Sequence, residues 1–184
     1  MKIVNFLRLF GICLFSLYIV SCEDDVEDFE PVSINPPAIN SDSNFAINRT
    51  SYNLKAALGN QVTVDGTEGY QFVFIGNGLT AINGVIEGRG AIVQLVLFKN
   101  DNPREVSGTY LIRDNEANLT AQLAYSLEFD PSVAGDADDQ LASGTVVVEE
   151  LANNQIRMTI SDAVTTTGMQ DFTLFFEGGV LVLN

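Results

Sequence analysis

An alternation of period two over residues 119–129 constrains this chain more than any other feature. Leu119, Ala121, Leu123, Tyr125, Leu127 and Phe129 fall on one side, and Thr120, Gln122, Ala124, Ser126 and Glu128 on the other. Successive side chains of a strand point to opposite faces, whereas an amphipathic helix needs apolar residues at i, i+3 and i+4. The same signature recurs along the chain. Tyr52, Leu54, Ala56 and Leu58 alternate with Ser51, Asn53, Lys55 and Ala57, and Val62 with Val64 forms a shorter piece. Tyr70, Phe72 and Phe74 share one face; Ile156, Met158 and Ile160 face inward while Arg157 and Thr159 face out; Phe172, Leu174 and Phe176 lead the last long strand. Residues 91–98 are apolar on both sides except at Gln94, which suits a strand buried on both faces.

Turn chemistry separates these pieces. Gly76-Asn77-Gly78, Asn83-Gly84 and Asn153-Asn154 read as tight turns, and Asp101-Asn102-Pro103 breaks the chain after residue 98. Short strands also fit residues 85–87 and 109–113; Gly178-Gly179 leaves a bulge and a turn both open. About nine to eleven short strands with frequent turns describe an all-β domain. The reading is an antiparallel, jelly-roll-like β-sandwich, with a closed antiparallel β-barrel as the alternative. Periodicity does not distinguish two facing sheets from one sheet closed on itself.

The first residues obey a different rule. Lys2 and Arg8 accompany an apolar run over residues 9–20, and Glu23-Asp24-Asp25 follows Cys22 directly. A basic start, a short apolar core and a small residue at the cut make a secretory signal, and the run is too short for the roughly 20 residues that span a bilayer. Ile19-Val20-Ser21-Cys22 resembles the lipobox of bacterial lipoprotein precursors processed by the lipoprotein signal peptidase, with Ile in place of the commoner Leu. The resemblance implies cleavage before Cys22, a diacylglyceryl group on its sulfur and acylation of its amine. Two or more acyl chains attach stably where one holds only marginally. Glu23, Asp24 and Asp25, continued by Glu27, Asp28 and Glu30, look like the acidic export tag of surface-exposed lipoproteins of the Bacteroidota. By charge alone the stretch is a solvated tether.

The expected organisation is therefore a signal peptide over 1–21, a lipidated Cys22 with an acidic, Pro-containing tether over 22–43, and one β domain over 44–184. The expected location is the outer membrane, held by covalent lipid and facing the cell surface. Nine basic residues against 24 acidic ones give a net charge of −15, and loss of Lys2 and Arg8 with the leader makes the remainder more acidic. Such a surface repels nucleic acid. Cys13 and Cys22 are the only cysteines, so the domain has no disulfide and depends on its core.

Chemistry is bounded mainly by what the sequence lacks. Without histidine there is no Ser-His-Asp or Cys-His arrangement and no His-rich zinc site. No glycine-rich phosphate loop lies between a strand and a helix. Glu128 with Asp130, and Glu149 with Glu150, are the carboxylate pairs that acid/base chemistry would use, but outward positions on strands are usually just solvated. The candidate metal site is calcium at Asp130, Asp136, Asp138 and Asp139, where one loop gathers the oxygen ligands that calcium takes. It lacks the twelfth-position Glu and the flanking helices of an EF-hand.

There is no tryptophan to serve as a sugar platform; Tyr52, Tyr70, Tyr110 and Tyr125 would substitute, although most lie on apolar faces that suit core packing. Asn48-Arg49-Thr50 and Asn118-Leu119-Thr120 match a glycosylation triplet but, behind a bacterial lipobox, read as chance. The functional expectation is a non-enzymatic surface lipoprotein, a binding or structural module for an envelope protein or glycan. The alternatives are a carrier of a small apolar ligand in a β-barrel, with the 12 phenylalanines lining it, and a carboxylate-dependent glycan hydrolase.

Overall fold

The computed structural model describes residues 36–99, 105–133 and 137–183. Twelve strands follow one another: β1 (Asn44–Ile47), β2 (Thr50–Val64), β3 (Thr67–Gly76), β4 (Leu79–Ile82), β5 (Val85–Gly88), β6 (Gly90–Phe98), β7 (Gly108–Ile112), β8 (Thr120–Phe129), β9 (Asp139–Glu150), β10 (Gln155–Thr165), β11 (Asp171–Gly179) and β12 (Leu181–Val182). Among the described residues no helix is long and apolar enough to cross a membrane.

Nine strands form a closed barrel, not the two-sheet sandwich that the sequence reading favoured; the barrel was its alternative. The order β1-β11-β10-β9-β7-β8-β6-β3-β2 returns to its start because β1 pairs on both sides. Phe45 stands opposite Leu174 of β11 and opposite Tyr52 of β2. With that four-residue strand in place the ring has no free edge, the strand feature most prone to aggregation. Pairing is antiparallel except for two short parallel contacts, β7 with β8 and β12 with β2. β7 is wedged between β8 and β9 at one end of the barrel; at the other end β8 and β9 meet directly, Tyr125 opposite Asp139.

The interior is filled by inward residues of every barrel strand, among them Phe45, Phe72, Phe74, Leu95, Tyr110, Leu123, Met158, Leu174 and Phe176. Aromatic rings run through it in contact. Phe45 stacks on Tyr52 at 5.0 Å and lies 5.8 Å from Phe172; Phe72 lies 6.0 Å from Phe74, which lies 5.1 Å from Phe176. These separations are ordinary ring packing. A barrel of about eight strands has an interior just wide enough for side chains to fill, and here the rings take that space. An apolar ligand carrier needs it empty.

The outer surface is divided. Over β2, β3, β6 and β8 the outward residues are buried too: Ala56, Leu58, Ile75, Ile92, Ala124 and Phe129 form a second apolar cluster with Leu79, Ala81 and Ile86 of the β4–β5 hairpin. The hairpin turns on Asn83 and Gly84, both at positive φ, as the Asn-Gly turn requires. It continues the β3–β6 ladder in the same register, Ile75 opposite Ile92 and Leu79 opposite Gly88, and the two backbones run very close where it leaves the barrel. A side chain on Gly90 would collide with the carbonyl oxygen of Asn77, and one on Gly78 with that of Arg89. Glycine is the residue that lets the two strands approach so closely. Over β7, β9, β10 and β11 the outer face remains open, with Leu111, Val147 and Thr159 exposed.

Several local expectations change under this architecture. β2 is one long strand; Gly59 does not break it but makes room, since a Cβ there would sit 2.7 Å from the Tyr70 hydroxyl. A bulge between Leu54 and Ala56 flips the alternation, so Ala57 enters the core while Ala56 and Leu58 face outward. Leu119 is 41% exposed at φ +57°, and Phe129 joins the outer cluster because the β6–β8 register shifts between Gly90 and Ile92. The polar face of β8 is not solvated: Thr120, Gln122 and Ser126 are buried.

Gly178 and Gly179 make neither an isolated bulge nor a turn. They end β11, and without side chains they admit Ile39 and Pro37 against the strand. Here the last part of the tether joins the barrel. Ile39 bridges Gly178, the Asn40 amide donates to the Glu177 carbonyl at 2.7 Å, and the Glu177 amide donates to Ser43 Oγ at 3.1 Å.

Candidate functional site

The tether joins at the Gly178 end of β11, while Phe172 lies at the opposite end of that strand, beside Ile47 of the β1–β2 turn. Six residues of strand separate the two levels, about 20 Å at roughly 3.3 Å each. The end remote from the tether is the mouth of the barrel. There Ser51, Tyr52, Asn53, Asn77, Gly90, Ala91 and Leu127 line a depression of about 240 Å³.

Each wall has a local cause. β3 ends at Gly76, opposite Leu54, so β2 continues upward without a β3 neighbour and one side of Tyr52 is left uncovered. Phe45 occupies the other face of the Tyr52 ring, at an interplanar angle of 16°. Asn77 and Gly90 face each other where the β3–β6 ladder passes from the barrel to the hairpin. Leu127, the inward residue above Tyr125, closes the far side. Ser51, Asn53 and Asn77 are exposed, and Tyr52 is half-buried. Among the described residues no carboxylate lines the depression. The nearest charges in sequence, Arg89 and Glu128, pair with each other.

Beneath the mouth, the Tyr125 hydroxyl is pushed up to about 12, chiefly by burial, then by the carboxylates of Asp139 and Asp138 and by the Tyr52 hydroxyl. It stays protonated throughout the neutral range. The loop carboxylates have structural duties. Asp138 Oδ2 accepts from the Leu127 amide at 2.7 Å. Asp139 accepts from the amides of Gln140 at 2.8 Å and Thr167 at 3.0 Å, tying the start of β9 to the β10–β11 turn. Asp130 accepts from the Ser132 amide and hydroxyl, which hold its carboxyl below the usual range.

Of the proposed calcium set, Asp136 lies outside the described residues. Among the described residues no group of three or more His, Cys, Asp or Glu side chains gathers as a metal would require. Asp130, Asp138 and Asp139 each accept from backbone amides of their own loop or its neighbour. The two carboxylate pairs are divided in the same way: Glu128 pairs with Arg89, and Glu149 with Arg157 at 3.2 Å. Ile19, Val20, Ser21, Cys22 and the Glu23, Asp24, Asp25 tag lie outside the described residues.

Of the four tyrosines considered as sugar platforms, Tyr110 is fully buried and Tyr125 nearly so, Tyr70 packs against Phe72 at 4.9 Å, and Tyr52 reaches the mouth. Sequence reasoning named Tyr52 but missed its neighbours. Asn77 falls in the turn read at Gly76-Asn77-Gly78, and Gly90 carries no signal of its own; the two come together because the β3–β6 register runs on into the hairpin. No protein family, curated protein or solved structure matches the chain.

Proposed function

We propose that the protein is a lipid-anchored, non-enzymatic binding module of the outer membrane, displayed at the cell surface with the barrel mouth as its contact face. The observation that carries this reading is the polarity of the barrel. The chain arrives from the tether at one end, packed on Gly178 and Gly179, and the unfilled depression opens at the other. A domain held in that way turns its mouth from the lipid toward whatever it meets. The lipobox Ile19-Val20-Ser21-Cys22 and the acids after it supply the anchor and the export signal in this reading. The absence of histidine and the engagement of the carboxylate pairs by arginines support a binding role over a catalytic one.

The experiment is metabolic labelling with a clickable fatty acid followed by proteolysis of intact cells. Labelled protein that is digested at the surface is expected. Unlabelled protein overturns the anchor, and labelled protein shielded from protease overturns surface display. Cys22→Ala should abolish the label without altering the barrel.

A further inference from the structure

The lining of the mouth specifies a class of ligand. Its volume, about 240 Å³, falls below the ~300–1,000 Å³ of sites for drug-sized molecules, so it accepts one ring or one side chain. Its groups are neutral. Asn77 brings an amide that both donates and accepts, and β2 from Ser51 to Asn53 borders the depression beyond the end of β3. Asn77 is exposed at the rim, and no described residue engages its side chain. Tyr52 is held from behind by Phe45 and uncovered toward the depression, with Ala91 and Leu127 completing an apolar floor. The chain as a whole carries −15, yet the lining holds no carboxylate, and the adjacent Arg89 and Glu128 neutralise each other.

An anion would find no unpaired cation here and a cation no carboxylate. A purely apolar group would strand the rim amides, because polar groups that lose water need new partners. The ligand that matches is an uncharged ring bearing hydroxyls on its edge and C–H bonds on its face. We propose that the mouth is a subsite for a single neutral sugar residue of a glycan. Its C–H face would lie on Tyr52 and Leu127, and its hydroxyls would exchange hydrogen bonds with Asn77 and with the backbone of β2 between Ser51 and Asn53. This assignment rests on the reading of the mouth as the contact face.

The test is titration of the isotope-labelled full chain in detergent with methyl α-glucoside, methyl β-galactoside and N-acetylglucosamine, followed by NMR. Saturable shifts at Tyr52, Asn77 and Leu127 are expected with at least one of them, at a dissociation constant on the order of 1 mM or weaker, the low end of the affinity scale. Tyr52→Ala should abolish them. Asn77→Ala, at an exposed rim position, should weaken them several-fold, and Val147→Ala on the open outer face should leave them unchanged. No saturable shift with any of the three sugars overturns the subsite, as does binding that Asn77→Ala leaves undiminished. Because the readout is purified protein, failure here is separable from failure of the surface-display experiment, which needs cells and no sugar.

Discussion

Replacing Phe45 by alanine tests whether closure of the barrel holds the molecule together. Phe45 is fully buried on β1, the four-residue strand that joins β2 to β11, and its ring contacts those of Tyr52 and Phe172. Truncation removes roughly 100 Å² of buried apolar surface, worth about 2.5 kcal/mol at ~25 cal/mol/Å². The two ring contacts add about 0.5–1.5 kcal/mol each. The sum, about 3.5–5.5 kcal/mol, agrees with the ~3–5 kcal/mol typical of buried Phe→Ala changes. A domain of this size loses roughly 2–4 °C in Tm per kcal/mol, so the variant should melt about 10–20 °C lower. Circular dichroism melts, with urea unfolding to confirm an unchanged slope, provide the measurement. Phe175→Ala, at the neighbouring outward position of β11 where the ring is half-exposed, should cost about 1 kcal/mol or less. Equal losses for the two variants would refute the reasoning, since they would mean that β1 seals nothing.

Four further outcomes follow from the same physics. Gln71 is 1% exposed and its Nε2 has no hydrogen-bond partner among the described residues; Gln71→Leu should therefore be neutral or stabilising by about 1 kcal/mol, and a fall in Tm of several degrees would contradict that. Gly90→Ala places a methyl group against the Asn77 carbonyl; it should cost about 1–3 kcal/mol as overpacking and speed hydrogen exchange in β4 and β5 before the barrel. Tyr110 and Tyr125 both ionise at about 12, held up chiefly by burial. The folded chain binds more protons than the unfolded chain above pH 10, so stability should be intact below pH 10 and fall as pH rises toward 12; Tyr110→Phe should flatten that slope in absorbance-monitored melts. Glu177 is held below its ordinary 4.5 by Arg157, then by Asn40. Its stabilising effect is present above that value and lost as pH falls through its lowered folded value, so the Tm gap between wild type and Glu177→Gln should close on acidification.

The sequence made the strands legible wherever one face had to be apolar. The interior residues Phe72, Phe74, Met158, Ile160 and Phe176 follow their period-two pattern, and the doubly buried run of β6 was readable from its lack of polar residues. Closure was not readable. A strand paired on both sides and an edge strand carry the same side-chain pattern, and β1 spans too few residues to announce itself. The bulges that exchange Ala56 for Ala57 and move Phe129 outward are set by partners distant in sequence. The buried outer face of β8 was misread for a related reason: Thr120, Gln122 and Ser126 are polar, and polarity predicts exposure only where nothing lies above the sheet. The mouth was the least legible part. Tyr52 meets Asn77 and Gly90 because the β2–β3 ladder stops at Leu54 while the β3–β6 register runs on into the hairpin.

The seam at Gly178 also bears on how the molecule resists being pulled. A load applied through the residues before Pro36, directed away from that end, runs along the axis of β1. It would act on the Ile39 bridge, the Asn40 and Ser43 bonds to Glu177 and the β1 ladders to both neighbours side by side. Bonds loaded in shear must yield together rather than peel one after another, so the narrowest strand of the barrel lies where traction on the tether is spread most widely.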